Sequence, residues 1–355
     1  MTISGMTVAV AMSGGVDSSV AAALLVQRGF RVIGLTMKLF CYGDGDHARS
    51  CCSLDSVAAA RQAAQALGIP HYVVDCQREF SRQVVDRFVS EYAAGRTPNP
   101  CVACNRMIKF GLLLDKARGL GCRYLATGHY ARIVKRRGMP VLARGIDARK
   151  DQSYFLWPLS RGTLAQVLFP LGGLSKQEVR AQARSLGLIS AERPESQEIC
   201  FVQHGSYADF LEQRVTPAPG DIVDRDGNAL GKHKGIIRYT VGQREGLGIA
   251  LGRPQYVLRI DAQRNRIVVG DDHLLRSSDC AVSGVNWILP RPQRAVGALV
   301  KIRHQHKGAA AMVKPLPGDR AVIAFAEPQR AVTPGQSAVF YQGDLVLGGG
   351  NIGSG

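Results

Sequence analysis

Short apolar runs typical of β-strands alternate with longer amphipathic segments along the first two hundred residues. The strand pattern covers residues 7–11, 31–37, 71–75 and 124–127, and the helical pattern covers residues 18–28, 53–67, 79–94 and 105–120. Strands that alternate with helices through short connections predict a doubly wound α/β fold, in which helices cover both faces of a parallel sheet. Ligands bind such sheets beyond the carboxyl ends of the strands, so we expect a site there.

The pattern changes from about residue 205 onward. One helical stretch, residues 206–214, is followed by prolines, many glycines and short alternating runs. These runs include residues 256–260, 267–269, 321–325 and 337–341. Short alternating strands between turn signals predict small all-β domains in this half of the chain.

A glycine turn connects the first predicted strand to the first predicted helix. It reads Ser13-Gly14-Gly15-Val16-Asp17-Ser18-Ser19. Two glycines let the backbone approach a ligand closely, and the positive end of the following helix favours an anion. The turn lacks the lysine of a Walker-type loop and the glycine spacing of a dinucleotide-binding fold. It resembles the pyrophosphate loop of the ATP pyrophosphatases; an ordinary glycine-rich turn is the alternative.

The charge balance predicts a polyanionic partner. The 355 residues include 45 basic and 28 acidic side chains, which give a formal charge of +17. Nucleic acid is the commonest partner of such a protein, and a generally basic surface is the alternative. No apolar run approaches the roughly 20 residues that a membrane-spanning helix needs. No basic residue precedes Arg28, unlike in a signal peptide, so we predict a cytoplasmic protein without a membrane partner.

Nine cysteines, an odd number, do not suit a secreted disulfide scaffold. Cys101 and Cys104 form a C-x-x-C motif directly before a predicted helix, whose N-terminus favours a thiolate. Half of a zinc site and a thioredoxin-like redox pair are the alternatives. Zinc would need a second pair, which the adjacent Cys51 and Cys52 supply poorly, and the motif does not follow the first strand as a redox pair would.

The other cysteines carry weaker signals. Cys76, Cys122 and Cys280 stand in apolar surroundings and are predicted to be core residues. Cys200, next to Phe201, by itself fits either a buried core residue or a reactive thiol. The roles of the remaining thiols stay open; these are Cys41, Cys51 and Cys52.

A set of motifs, in order along the chain, identifies the family that the sequence resembles. Besides the glycine turn they are GRTPNP (95–100), Cys104-Asn105, TGHY (127–130), KDQSY (150–154), SQEICF (196–201), GDIV (220–223) and TVGQR (240–244). Together they resemble the tRNA-specific 2-thiouridylases over nearly the whole chain. The resemblance implies an adenine nucleotide alpha-hydrolase-like PP-loop domain at residues 1–204, a small central β-rich domain at 205–272 and a tRNA-binding C-terminal β-barrel at 273–355.

The resemblance also implies an activity. Such an enzyme thiolates the wobble uridine, position 34, of tRNA at C2, using ATP and Mg²⁺. ATP adenylates the uridine C2 carbonyl oxygen, and sulfur from a cysteine persulfide replaces it, which yields 2-thiouridine, AMP and pyrophosphate. The implied partners are tRNA and a persulfide donor, either a cysteine desulfurase or a sulfur-relay protein.

The family's functional residues map onto this sequence one by one. Cys200 would carry the incoming sulfur as a persulfide, and Cys104 would be the nucleophile that releases it and leaves a Cys104–Cys200 disulfide. The implied ATP-binding residues are Ala11, Met12, Ser13, Gly14, Gly15, Val16, Asp17, Ser18, Met37 and Gly128. The implied tRNA-binding residues are Asn99, Pro100 and Cys101 at the target base, with Lys150, Asp151, Gln152, Arg303 and His304 elsewhere.

One position departs from the family pattern. Many relatives have an aspartate where this chain has Cys101, and an un-ionised thiol cannot replace a carboxylate's charge. Either the base role lies elsewhere or the protein has a third thiol in its site. In the second case Cys101, Cys104 and Cys200 would hold three corners of a [4Fe–4S] cluster and leave one iron open.

Several readings stay open at this stage. His304 and His306 share one face of a predicted strand, as a metal pair or as part of a solvated basic face. His129 is either an acid or phosphate donor or a hydrogen-bonded structural residue. Two other function classes compete with tRNA thiolation: an ATP pyrophosphatase acting on a small metabolite, and an RNA-binding protein without activity.

Overall fold

The computed structural model describes residues 5–39, 54–188, 199–202, 206–249 and 252–353. These residues form two compact units. The first lies within Met1–Val84, Cys101–Gln203 and Asp344–Val346, and the second lies within Val85–Pro100, His204–Gly343 and Leu347–Gly355. Cys41, Cys51, Cys52 and residues 196–198 of the SQEICF motif lie outside the described residues.

The strands and helices predicted within residues 7–127 occur in the predicted order, and further elements follow them. The strands are β1 Thr7–Ala11, β2 Arg31–Lys38, β3 His71–Asp75, β4 Tyr124–Ala126, β5 Ala131–Arg136, β6 Met139–Arg144, β7 Val167–Leu168, β8 Gly220–Val223, β9 Ala229–His233, β10 Tyr256–Asp261, β11 Arg266–Gly270, β12 Arg276–Trp287, β13 Val296–Lys301, β14 Ala309–Leu316, β15 Arg320–Arg330, β16 Ser337–Gln342 and β17 Leu345–Ile352. The α-helices are α1 Val16–Gln27, α2 Leu54–Ala66, α3 Gln77–Phe80, α4 Asp86–Ala93, α5 Pro100–Cys104, α6 Leu114–Gly119, α7 Arg161–Leu164, α8 Lys176–Ser185 and α9 Tyr207–Glu212, and π-helical turns occupy Ser81–Val85 and Asn105–Leu113.

The first unit is built on a parallel sheet with the strand order β3-β2-β1-β4-β7. β1 lies at the centre, with β2 on one side and β4 on the other. Its side chains Val8, Ala9 and Val10 are fully buried, as expected of a strand covered on both faces. The predicted doubly wound α/β fold is confirmed.

Helix α1 is buried on more than one side. Ala22 and Leu25 pack with alanines of α2 and with β1, whereas Val16 and Val20 pack with Val179 of α8 in a separate cluster. An alanine-rich helix suits this place, because small side chains let neighbouring elements approach closely on two sides. The tight packing holds the N-terminus of α1 in one position at the end of β1.

The helix that carries the C-x-x-C motif begins earlier than predicted. The sequence pattern predicted a start near Asn105, but α5 begins at Pro100, so Cys101 and Cys104 lie inside the first helical turns. Proline suits the first position of a helix, since the N–H that it lacks has no partner there. The prediction was wrong because it treated Pro100 as part of a stiff loop.

The second unit contains two β structures. One is a four-stranded sheet with the order β10-β11-β8-β9, mixed in direction. The other has the order β12-β15-β14-β13-β16-β17 and closes through the pairing of β12 with β17, which makes a six-stranded antiparallel barrel. Val300, Ala338 and Phe340 fill its interior with no exposed surface. The predicted central β domain and C-terminal barrel are confirmed as folds.

A helix long and apolar enough to cross a membrane is not found in the described part of the chain.

The start of α8 offers a test of local stability. Ser175 caps this helix by accepting from the Glu178 N–H, and the Glu178 carboxylate accepts in turn from the Ser175 N–H at 2.7 Å. We expect Ser175→Ala to lower the free energy of unfolding by about 1 kcal/mol, because it leaves a first-turn N–H without its partner. Urea denaturation measures the loss, and unchanged stability would contradict this role of the cap.

Candidate functional site

The glycine turn follows β1 directly and has a backbone that requires glycine. Gly14 has a φ of +75°, in the left-handed region. A Cβ added there would lie 2.3 Å from the carbonyl oxygen of Ser56. Both the conformation and the close approach exclude a larger residue, so the turn lies tightly against the start of α2.

The serine hydroxyls of the turn hold its shape. The Ser18 hydroxyl accepts from the Ser13 N–H at 3.2 Å and donates to the Gly15 carbonyl at 3.0 Å, and Ser19 donates to the same carbonyl at 3.1 Å. Gly15 precedes α1 without a side-chain cap among the described residues. The N–H groups of the first turn therefore face the position where a helix N-terminus binds an anion.

The turn lies at the point where the order of the sheet reverses. β1 pairs with β2 and with β4, and Val10 is in register with Ala126, so the segments that follow β1 and β4 leave the sheet side by side. In doubly wound sheets this is where ligands bind. Gly128, on the segment after β4, approaches α1 so closely that a Cβ would lie 2.8 Å from the carbonyl carbon of Asp17.

A short hydrogen-bonded chain connects the glycine turn to β2 and β3. The Thr36 hydroxyl donates to the Met12 carbonyl at 2.7 Å, so it accepts from the Nε2–H of His71 at 2.8 Å. Met37 is the next residue of β2. The predicted ATP-binding residues from Ala11 to Ser18, with Met37 and Gly128, thus lie at one edge of one sheet.

An ion pair lies at the start of α1, and its cation stands outside the sequence motifs. The Lys176 ammonium donates to both carboxylate oxygens of Asp17, at 2.7 and 2.9 Å, and the Tyr130 hydroxyl donates to the same carboxylate at 2.7 Å. In the sequence, Ser175 and Glu178 have the spacing of a helix capping box. That pattern predicts the start of a helix and says nothing about a ligand.

His129, which follows Gly128 directly, is buried. Its Nδ1 lies 2.6 Å from the Thr127 hydroxyl, and its ring packs between Phe110 and Phe169. Burial, with a smaller contribution from the Lys109 charge, lowers the pKa of His129 well below its usual value. A neutral imidazole enclosed by aromatic rings fits the structural reading of this residue.

The three candidate site thiols differ in exposure. Cys101 is exposed, Cys104 is buried on the same helix, and Cys200 is half-buried in a turn beside Phe201, whose ring packs on Phe80. No group of three side chains in the described residues is arranged to hold a metal ion. The predicted cluster on Cys101, Cys104 and Cys200 therefore stays a prediction.

The three cysteines predicted to be structural are Cys76, Cys122 and Cys280. Burial raises the pKa of Cys76 to about 11 and that of Cys280 to about 12, and it also raises the pKa of Cys122. Cys76 and Cys122 are core residues, as predicted, and Cys280 is half-buried.

Two residues of the segment 150–152, Asp151 and Gln152, accept hydrogen bonds from residues outside the segment. The Asp151 carboxylate is buried and accepts from the N–H groups of Gly145 and Ser153 and from the Ser153 hydroxyl. The Gln152 side-chain oxygen accepts from the Tyr130 N–H at 3.0 Å. Asp151 thus stabilises the turn, while Lys150 next to it is half-exposed.

In the second unit, the GRTPNP loop that ends in Asn99 and Pro100 is anchored by Thr97. Its N–H donates to the Pro334 carbonyl at 2.9 Å, and its own carbonyl accepts from the Gln336 amide at 2.8 Å. The Thr97 hydroxyl bonds that of Thr240, the first residue of the TVGQR motif. Two motifs far apart in the sequence therefore fix one loop.

Arg303 and His304 lie in a turn after β13, together with His306. The predicted strand at His304 and His306 was wrong, because β13 ends at Lys301. An open cavity of about 650 Å³ lies beside this turn, lined by Arg303, Gln305, His306, Lys307, Glu327 and Gln329 and by small residues. The guanidinium of Arg303 is exposed at this cavity, so the barrel has a basic recess there.

The burial of His129 predicts a pH dependence of stability. The folded pKa lies below the usual value of 6.5, so the unfolded chain binds the proton first and stability falls as pH drops below about 6.5. Between about pH 7.5 and pH 5.5 this residue should account for about 1 kcal/mol of the loss. His129→Gln should lack this share of the pH-dependent loss in the free energy of unfolding, whereas His273→Gln, at an exposed position, should keep it. Urea denaturation at both pH values measures the loss. Equal pH dependence in all three proteins would contradict it.

Three family models match the chain in sequence order. They are described as the tRNA methyl transferase HUP domain at residues 6–204, the tRNA methyl transferase PRC-barrel domain at 208–271 and the aminomethyltransferase beta-barrel domain at 277–352. Among solved structures, the U34-tRNA thiolase NcsA from Methanococcus maripaludis with its [4Fe-4S] cluster aligns at 20% identity and a TM-score of 0.36, over 60% of this chain and 68% of that one. That similarity is too limited to bear on the ligands of this chain.

Full-length relatives are much more similar. The tRNA-specific 2-thiouridylase MnmA of Geotalea uraniireducens is 52% identical over 97% of this chain and 94% of the relative. The protein of the same name from Geobacter metallireducens is 50% identical over 97% of this chain and 96% of the relative. Since about half of the residues are identical from end to end, the chain belongs to the family of tRNA-specific 2-thiouridylases.

Proposed function

We propose that this protein is a tRNA-uridine 2-sulfurtransferase that thiolates the wobble uridine of tRNA at the expense of ATP. Membership of the 2-thiouridylase family supports the class of reaction. The observation that carries the proposal is the glycine turn at the reversal point of the sheet, in the same unit as Cys104 and Cys200. A pyrophosphate-binding turn and reactive thiols are both needed for ATP-driven sulfur transfer.

The first step activates the uridine. Its C2 carbonyl is a poor electrophile, and its oxygen leaves badly. Transfer of the AMP moiety of ATP to this oxygen breaks the bond between the α and β phosphates, releases pyrophosphate and makes AMP the later leaving group. The glycine turn, the N-terminus of α1 and Mg²⁺ bound with ATP would stabilise the pyrophosphate charge.

The second step delivers sulfur without loss of free sulfide. A donor protein, a cysteine desulfurase or a sulfur-relay protein, leaves Cys200 as a persulfide. The Cys104 thiolate attacks the Cys200 sulfur, which forms a Cys104–Cys200 disulfide and releases the outer sulfur as hydrosulfide. Hydrosulfide attacks C2 and expels AMP, and a thiol reductant supplies the two electrons that restore both cysteines.

Cys101 takes no part as a metal ligand in this route. Its exposed position next to Asn99 and Pro100 in the sequence suits a contact with the target base. The proposed route uses the thiols of Cys104 and Cys200 and needs no iron. A tRNA substrate also implies that the protein works in the cytoplasm.

The thiols provide the direct test. Cys200→Ser and Cys104→Ser should each lower tRNA thiolation by at least about 100-fold. The first variant cannot carry a persulfide, and the second cannot release its outer sulfur. Each should still release pyrophosphate from ATP in the presence of tRNA, since the glycine turn is intact. Cys280→Ser, at a half-buried thiol of the barrel, is the control and should retain thiolation.

Three outcomes would overturn this proposal. Thiolation by Cys200→Ser from a persulfide donor would exclude its role as sulfur carrier. Activity that appears only with about four irons per chain in anaerobically purified protein would replace the persulfide route by a cluster. Adenylation of a small metabolite with no stimulation by tRNA would favour the small-molecule synthetase instead.

Arg303 at the basic recess of the barrel and His304 in the same turn are proposed to contact tRNA. Lys150 and Gln152 are proposed contacts of the first unit. We expect Arg303→Glu to weaken tRNA binding by about tenfold and to reduce its salt dependence, because one phosphate contact is lost and a repulsion is added. Arg320→Glu changes the net charge equally at another exposed position of the barrel. Filter binding over a salt series measures both, and equal weakening by the two variants would refute a local contact.

A further inference from the structure

Lys176 is a buried cation that none of the family motifs contains. Its side chain is only 11% exposed, which is rare for lysine unless the ammonium is paired. The pairing partner is Asp17, to which the ammonium donates at 2.7 and 2.9 Å, and the ammonium lies 5.7 Å from the centre of the Tyr130 ring. Lysine and tyrosine together direct three hydrogen bonds at one carboxylate.

The place of this carboxylate makes its charge important. Asp17 is the second residue of α1 and follows Gly14, Gly15 and Val16 directly. A carboxylate in the first turn interacts well with the helix dipole, but it also repels any polyphosphate that binds at the same N-terminus. The Asp17 side chain is 31% exposed, so water screens only part of that repulsion.

Contacts other than the ion pair also hold Lys176 in place. Its own N–H donates to the Asp147 carboxylate at 3.0 Å, and the cap of Ser175 and Glu178 fixes the helix start beside it. Farther along α8, Val179 packs in the cluster that contains Val16 of α1. The ammonium is thus held at Asp17 by a helix that other contacts keep in place.

We propose that Lys176 is a positioning residue for ATP, which neutralises Asp17 and fixes the first turn of α1 so that the glycine turn accepts the polyphosphate. This inference rests on the proposed function, since it assumes that ATP binds there. It assigns Lys176 no contact with ATP: the ammonium acts through Asp17. Removing the ammonium leaves a largely uncompensated carboxylate beside the phosphates.

The test measures the KM for ATP and kcat of tRNA-stimulated pyrophosphate release, with Mg²⁺-ATP binding by equilibrium dialysis. Lys176→Met should raise the KM and the dissociation constant for ATP by about tenfold or more, with a smaller change in kcat. Lys176→Arg should keep both near the wild-type values, because a cation remains. Asp17→Asn combined with Lys176→Met should recover most of the lost affinity, since the repelling charge is gone.

The controls separate this role from a structural one. Leu188→Ala removes buried packing beyond the C-terminal end of α8 but keeps the ammonium and the start of the helix, so it should leave the KM for ATP unchanged. If Lys176→Met does not fold, Tyr130→Phe, which removes only one donor to Asp17, should raise the KM by a smaller factor. Thermal unfolding of each variant shows whether it is folded.

Three results would overturn the inference. An unchanged KM in Lys176→Met would exclude a role in ATP binding, and a Leu188→Ala effect equal to that of Lys176→Met would make the role purely structural. Absence of recovery in the double variant would mean that Lys176 or Asp17 contacts ATP or its metal directly. By contrast, wild-type protein that binds no ATP would refute the proposed function itself.

Discussion

The close approach of the glycine turn to α2 is the constraint that sets the geometry at the carboxyl ends of the strands. Gly14 leaves β1 with a positive φ, and its Cα faces the Ser56 carbonyl at a distance that no side chain could occupy. This path directs α1 back along the sheet and points its N-terminus at the carboxyl ends of the strands. Gly128, on the segment after β4, makes a similarly close approach to the backbone of Asp17 and Ser18.

The polar side chains around the glycine turn hold its shape through hydrogen bonds within the protein. The hydroxyls of Ser18 and Ser19 are hydrogen-bonded within the turn, and Thr36 ties Met12 to β2. A site whose donors are already held in place loses little entropy when a ligand binds. Its electrostatics then depend on how the one acidic group of the turn, Asp17, is neutralised.

The thiol chemistry follows from a different local rule. Pro100 begins a helix, which places Cys101 and Cys104 in its first turns and leaves one exposed and the other buried. Helix N-termini favour thiolates, and the π-helical turns of Asn105–Leu113 that follow are a type of irregularity often found at functional sites. Cys101, the position that departs from the family pattern, is therefore the exposed thiol at this helix start.

Local patterns in the sequence determined the elements, because apolar periodicity, glycine pairs and caps act over a few residues. The parallel sheet, the β half and the glycine turn were all predictable in this way, and the ordered motifs indicated the family. The start of the thiol helix at Pro100 and the turn at His304 and His306 were not, because proline and alternating polar residues fit more than one local structure. Only the tertiary structure decided the partners of buried polar groups. Lys176 pairs with Asp17, 159 positions away in the sequence. The Asp151 carboxylate is hydrogen-bonded to Ser153, and the His129 ring is hydrogen-bonded to Thr127. Such contacts arise from the packing of α8 on α1 and of loops on the sheet, which no local pattern encodes.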